Sequence, residues 1–375
     1  MNTLYFSKEN RFVRMLATIA AGTIGGWIFA LCHIPLPWLL GPMLTVLIWS
    51  KFSRIELYWT SEMRNIGLLI IGYSSGLSFT KAAVIEIIHQ LPSMLFMTII
   101  LIAFCAALAL LVSKLTGVDY PTTLTGSIPG GLTQMVTLGE EIEGIDLTAI
   151  TFLQVARVMM IVFFIPMLVF SPLFTSGDPV LHAGTANAVS AQWSGLFPNI
   201  LVFAAVSIIC AVLGQKVKLP TPYLLGPILG TAVFSISGFS GPALPSVLLN
   251  IAQFSTGCYF GLLLKPEKLQ NKARVISFSL INGMLMILFS WGLSIVLVRM
   301  HNITTATSFL SLAPGGADQM SIIAGEIHED LSIVTGYQLF RMFFIYFAVP
   351  PLLKWFFKYR VKVQHAEYKL NCTEK

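Results

Sequence analysis

Two Pro-Gly-Gly sequences, Pro129-Gly130-Gly131 and Pro314-Gly315-Gly316, stand 185 residues apart in this 375-residue chain, and polar residues follow each. Thr133 and Gln134 follow the first; Asp318 and Gln319 follow the second. Proline removes a backbone donor and two glycines add backbone freedom, so each sequence marks a break in an otherwise apolar stretch. Such a break frees N–H groups whose positive dipole end can hold an anionic or polar solute. A kink or a tight helix crossing is the structural reading of the same residues. Gln134 and Gln319 can coordinate either a solute or the freed backbone. Asp318 has no acidic twin, since Thr133 occupies the corresponding place. A carboxylate within an apolar zone costs about 2.5–3.5 kcal/mol, which makes Asp318 the candidate for coupling to a proton or sodium ion.

Arg157 and Arg341 lie about ten residues into apolar runs, and Gln154 and Gln338 precede them by three residues, on the same helical face. The arginines can supply counter-charge to a solute or pair structurally with Glu141 and Glu326, which end the two broken stretches. Asp146 and Asp330 precede the next apolar runs and read as helix N-caps. The string Glu326-Ile327-His328-Glu329-Asp330 has the residue types of a metal site. Its counterpart, Glu141-Ile142-Glu143-Gly144, lacks the histidine. No metal, cofactor or catalytic residue is expected, and the absence of a Gly-Lys-Ser/Thr phosphate loop argues against ATP drive from this chain.

These residues recur because the chain is duplicated. Leu39-Leu40-Gly41-Pro42 returns as Leu224-Leu225-Gly226-Pro227 and Gly76 as Gly261; from Asp146 onward the interval is 184. A duplicated apolar chain with Gly/Pro-broken segments at matching places points to a transporter with its site at the repeat interface. The chain is 55% hydrophobic and 11% charged, with mean hydropathy +0.79. A soluble domain carries about 25% charged residues, so the expected class is an all-α polytopic membrane protein whose main partner is the lipid bilayer.

The net charge of +6 is dispersed in small clusters between apolar runs, which argues against nucleic-acid binding. Cys32, Cys105, Cys210, Cys258 and Cys372 show no paired spacing, so no disulfide framework is expected. Near-spanning runs lie at about 12–33, 94–114, 148–170, 199–214, 275–298 and 332–353, with shorter ones near 38–50, 65–80, 222–238 and 250–264. The expected organisation is a first membrane repeat (1–170), an extracytoplasmic linker (171–198), a second repeat (199–356) and a basic cytoplasmic tail (357–375). Lysine and arginine placement favours about ten transmembrane helices plus two broken or re-entrant Pro-Gly-Gly elements, with both termini cytoplasmic. Five spanning helices per repeat would make the repeats inverted. The competing topology has twelve crossings and parallel repeats.

Through the paired Leu-Leu-Gly-Pro and Pro-Gly-Gly-X-X-Gln-Met motifs and the paired Glu, Asp, Gln and Arg positions, nearly the whole chain resembles the AbrB-type duplicated membrane protein family. Its members are often labelled ammonia monooxygenases, and the family also carries a label as a regulator of gene expression. The resemblance implies a bacterial inner-membrane location. An oxygenase would need copper or iron ligands that the residue pattern does not supply. The function expected from the residues is secondary transport of a small polar or anionic solute by alternating access, one repeat's mobile part moving against a fixed panel. The alternatives are a membrane sensor acting indirectly on gene expression and, last, a membrane-bound ammonia monooxygenase.

Overall fold

The computed structural model describes residues 11–52, 56–130, 145–171, 199–239, 241–263 and 272–373, together with positions 135, 138, 139 and 197. The described residues form helices and connecting turns, with no strand. The first half contains α1 (Arg11–Leu31), α2 (Pro37–Phe52), α3 (Ser61–Leu77), α4 (Lys81–Thr116), α5 (Tyr120–Ser127) and α6 (Leu147–Val169). The second contains α7 (Asn199–Lys216), α8 (Pro222–Ile236), α9 (Ser246–Leu263), α10 (Lys272–His301), α11 (Thr305–Leu312), α12 (Ala317–Glu326) and α13 (Leu331–Thr373). Seven of these helices are long and apolar enough to cross a membrane. Large apolar side chains stand exposed along them, Ile85, Ile88 and Phe96 on α4 and Leu201, Val202 and Ile208 on α7 among them. An outer surface of that kind has lipid as its solvent. The chain is a multi-pass membrane protein.

The interval found in the sequence returns in the backbone. Positive φ, uncommon outside glycine, occurs at His33 (53°) and Leu36 (52°) between α1 and α2, and 185 residues later at Lys218 (58°) and Thr221 (43°) between α7 and α8. Gly117 ends α4 at φ 73°, and Asn302 ends α10 at φ 52°. The expected caps form as well. Asp146 Oδ1 accepts from the N–H groups of Thr148 and Ala149 at 2.8 and 3.1 Å, and Asp330 Oδ1 from those of Ser332 and Ile333 at 3.0 and 3.1 Å.

The helices sort into two groups, each drawing on both halves. The panel comprises α1–α3 and α7–α9, with α2 packed on α9 and α3 on α8. Small residues permit these crossings. A Cβ at Gly72 would stand 2.6 Å from Leu224 O, and one at Gly257 2.4 Å from Leu39 O. Gly76 and Gly261, one turn on, approach Ile228 O and Met43 O in the same way. Gly41 and Gly226 serve as contact points at the α1–α2 and α7–α8 crossings. The core group comprises α4–α6 and α10–α13, where α4 meets α13 and α10 meets α6.

The breaks lie within the core group. The eight-residue α11 and ten-residue α12 are joined through Pro314-Gly315-Gly316, and both pack along α13. Thr307 Oγ1, near the start of α11, accepts from the N–H of Asp330 at 3.3 Å and donates to Glu329 Oε2 at 2.7 Å. The segment thus enters and leaves at one end as a hairpin. In the first half, Thr122 of α5 accepts from the N–H of Asp146 at 3.2 Å, the equivalent contact.

Candidate functional site

Each broken segment is held by two side chains from the helix that follows it. Gln154 Nε2 donates to Thr125 O and Ile128 O at 3.1 and 3.0 Å. Arg157 donates through Nη1 to Ser127 O and Ile128 O at 3.3 and 3.0 Å, and through Nη2 to Gln154 Oε1 at 2.6 Å. In the second half Gln338 Nε2 donates to Leu310 O at 2.7 Å and Ala313 O at 3.1 Å. Arg341 donates to Leu312 O at 3.1 Å, to Gly315 O at 2.8 Å and to Gln338 Oε1. The last carbonyls of a helix have no partner within it, and α5 and α11 end inside the protein. Buried carbonyls at such ends require donors, and a guanidinium with five N–H groups supplies several at once.

The two arginines are each 4% exposed and form no ion pair with the described acids. Glu326, offered by the sequence as a partner for Arg341, instead accepts from Gln253 Nε2 of α9 at 2.7 Å. That bond ties the core group to the panel. Backbone carbonyls displaced the expected acid because the open helix end lies closer to the guanidinium. Arg157 Nε is buried without a partner among the described residues.

A cavity of about 840 Å³ lies between the two helix groups. It is lined by Pro129 and Gly130 from the first break, Gly315 and Gly316 from the second, and by Gln154, Arg157, Asp318, Gln319, Gln338 and Arg341. The sequence-selected residues of both halves therefore converge. Pro314 lies at the second break outside the lining, and Glu326 stands away from the cavity at the panel contact. Gly131, Gln134 and Glu141 lie outside the described residues, as does the linker apart from Ser171 and Phe197.

Gly316 caps α12, and its N–H donates to Gln319 Oε1 at 2.5 Å, so the Gln319 side chain shapes the break by holding the Gly316 backbone. Asp318, 7% exposed, sits in the first turn of α12, where the helix dipole favours negative charge. Facing this cavity from the panel is Arg64 of α3, a residue the sequence reading passed over. Its guanidinium lies 4.8 Å from the ring centroid of Tyr259 on α9, and its Nε has no hydrogen-bond partner among the described residues. Arg64, Arg157, Lys218 and Arg341 line the cavity against a single described acid, Asp318. With apolar walls at Leu68, Val158, Phe260 and Leu263, the site combines a positive field with low polarity.

A multi-pass membrane protein, helical throughout its described residues, with a Pro-Gly-Gly hairpin and a basic cavity between two helix groups is the class that fold and site define. The chain belongs to the AbrB family, matching the family described as "Transition state regulatory protein AbrB" over residues 38–357. It is 25% identical over 343 residues to "Putative regulator AbrB" of Escherichia coli (strain K12), covering 89% of this chain and 94% of that protein. It is 23% identical over 365 residues to "Uncharacterized protein YhjN" of Bacillus subtilis (strain 168), covering 92% and 94%.

Proposed function

We propose that this protein is a secondary transporter in the bacterial inner membrane, carrying a small polar or anionic solute by alternating access. The observation that carries the reading is the convergence of both Pro-Gly-Gly breaks and both Arg/Gln pairs on one cavity between two helix groups. In this reading α2, α3 and α8 cross the membrane together with the seven longer helices, which gives each half five crossings and a broken segment. The odd number inverts the repeats, and lysine and arginine placement puts both termini on the cytoplasmic side. Arg341 stands ten residues past the start of α13, about 15 Å along the axis at 1.5 Å per residue. That is half of a hydrocarbon core of about 30 Å, so the hairpin tips meet near the midplane.

In the proposed mechanism, Arg157 and Arg341 hold the hairpin tips and keep the cavity positive without being neutralised by acids. The N-terminus of α12 faces the solute with its dipole, and Gln134 and Gln319 orient broken backbone and solute. Asp318 binds the coupling proton or sodium ion. The core group moves relative to the panel, exposing the cavity first to one side and then to the other. The activity is transport, with no enzymatic step.

The test is uptake by proteoliposomes of the purified protein under imposed proton or sodium gradients, screened with organic acids, amino acids and ammonium. Gradient-driven uptake that Asp318→Asn abolishes is the expected result. A second reading, a ligand sensor acting indirectly on gene expression, draws support from the regulatory names of the family and its Escherichia coli relative. Ligand-dependent thermal stabilisation without flux of any solute would favour it.

A further inference from the structure

Resting on the transport reading, we propose that Arg64 binds the acidic group of the solute and that the solute is a monocarboxylate with an apolar body. The argument begins with which basic groups in the cavity remain free to bind. Arg157 and Arg341 each direct three described hydrogen bonds to backbone carbonyls and a glutamine, so their role is to hold the hairpins. Lys218 lies exposed in the α7–α8 turn. Arg64 is half-buried, lines the cavity, forms no hydrogen bond or ion pair with the described residues, and acts on Asp318 only through the longer-range attraction of their charges.

Tyr259 lies against the Arg64 guanidinium at 4.8 Å and restricts its orientation while leaving its edge available. A planar guanidinium fixed by an aromatic face presents the paired N–H groups that match a carboxylate. The charge on the solute follows from the opposite wall. Asp318 lies in the same cavity and its charge already draws on Arg64, so a dianion would bring more negative charge than this one guanidinium can offset. The body of the solute follows from the apolar part of the remaining surface, where Leu68, Val158, Phe260, Leu263 and Ile345 offer no hydrogen-bonding groups, while Asn65, Thr221 and Tyr346 add polar groups elsewhere in the lining.

Arg64 is on the panel and Asp318 on the core group, so a solute held by Arg64 lies where the two groups separate. At the position 185 residues after Arg64 the chain has Leu249, so this residue, like Asp318, departs from the duplication.

The experiment uses the full-length protein in lipid nanodiscs for calorimetric binding and in proteoliposomes for counterflow. The probes are 4-methylpentanoate, leucine, isopentylamine and inorganic phosphate. The expected result is 4-methylpentanoate binding that weakens at least tenfold in Arg64→Gln, is partly kept in Arg64→Lys, and weakens less in Tyr259→Leu. Size-exclusion profiles matching the native protein verify folding of each variant. Binding of 4-methylpentanoate unaffected by Arg64→Gln would overturn the assignment of Arg64. Counterflow of isopentylamine or phosphate without 4-methylpentanoate would overturn the solute class and leave transport standing. No counterflow of any probe or of any solute in the wider uptake screen would overturn the transport reading itself.

Discussion

At the end of α11, Gln338 and Arg341 gather the carbonyls of Leu310, Leu312, Ala313 and Gly315; at the end of α5, Gln154 and Arg157 gather those of Thr125, Ser127 and Ile128. The anchoring is alike in the two halves. The charge beside it is not: Asp318 follows the second break where Thr133 follows the first, and Arg64 has Leu249 as its counterpart. Gln253, which reaches Glu326 from the panel, likewise corresponds to Leu68. The duplicated Gln154/Gln338 and Arg157/Arg341 hold the architecture, and of the residues that break the duplication Asp318 and Arg64 carry the proposed ion and solute charge chemistry while Gln253 ties the two groups together.

The largest expected effect tests the shared anchoring. Arg341→Met strips donors from the carbonyls of Leu312 and Gly315. At about 1–3 kcal/mol for each buried unsatisfied group, the loss is roughly 2–6 kcal/mol. Arg157→Met should cost a similar amount, read as equal falls in the denaturation midpoint of the detergent-solubilised protein. Unequal falls would show that the two anchors are not equivalent. Next come the crossings. Gly257→Ala and Gly72→Ala place a methyl group against Leu39 O and Leu224 O, and overpacking of this kind costs about 1–3 kcal/mol. Thermal unfolding should register matching losses at the two positions.

Smaller still is the effect of the caps. Asp146→Ala and Asp330→Ala each remove an oxygen accepting two backbone N–H groups, for about 0.5–2 kcal/mol apiece. The least effect on stability, about 0.5–1 kcal/mol, is expected of Arg64→Gln, because its guanidinium forms no described hydrogen bond and the change removes only its contact with the Tyr259 ring. Its expected consequence lies in binding, and a large fall in melting temperature would instead place Arg64 among the structural residues.

Much of this arrangement was legible in the chain. The apolar run at 94–114 lies within α4, the runs at 38–50 and 65–80 fall on α2 and α3, and the Pro-Gly-Gly sequences sit where short helices meet. The second Pro-Gly-Gly sequence marks a break at which the backbone folds back, so that Thr307 and Asp330 meet at the base of the hairpin. What the chain did not disclose was mutual arrangement. Hydropathy cannot say that α2 crosses α9, although Gly257 and Gly261, spaced by one helical turn, are the kind of signal that marks such a crossing.

Arg64 went unseen because it lies one residue before the apolar run and reads there as a flanking charge. Applying to every ionisable residue the asymmetry test that selected Asp318 would have found it. The pairing of Arg341 with carbonyls rather than with Glu326 depends on where a helix end falls in space, which sequence spacing alone does not fix.

The central claim is that the core group moves against the panel around the cavity, and cross-linking the two groups tests it most directly. Gln253 and Glu326 join them through a 2.7 Å hydrogen bond. Cysteines at both positions, in a background with the five native cysteines replaced, can be bridged by a short bis-methanethiosulfonate in proteoliposomes. The account predicts that bridging stops solute uptake and that reduction of the bridge restores it. Full-rate uptake with the bridge in place would contradict it.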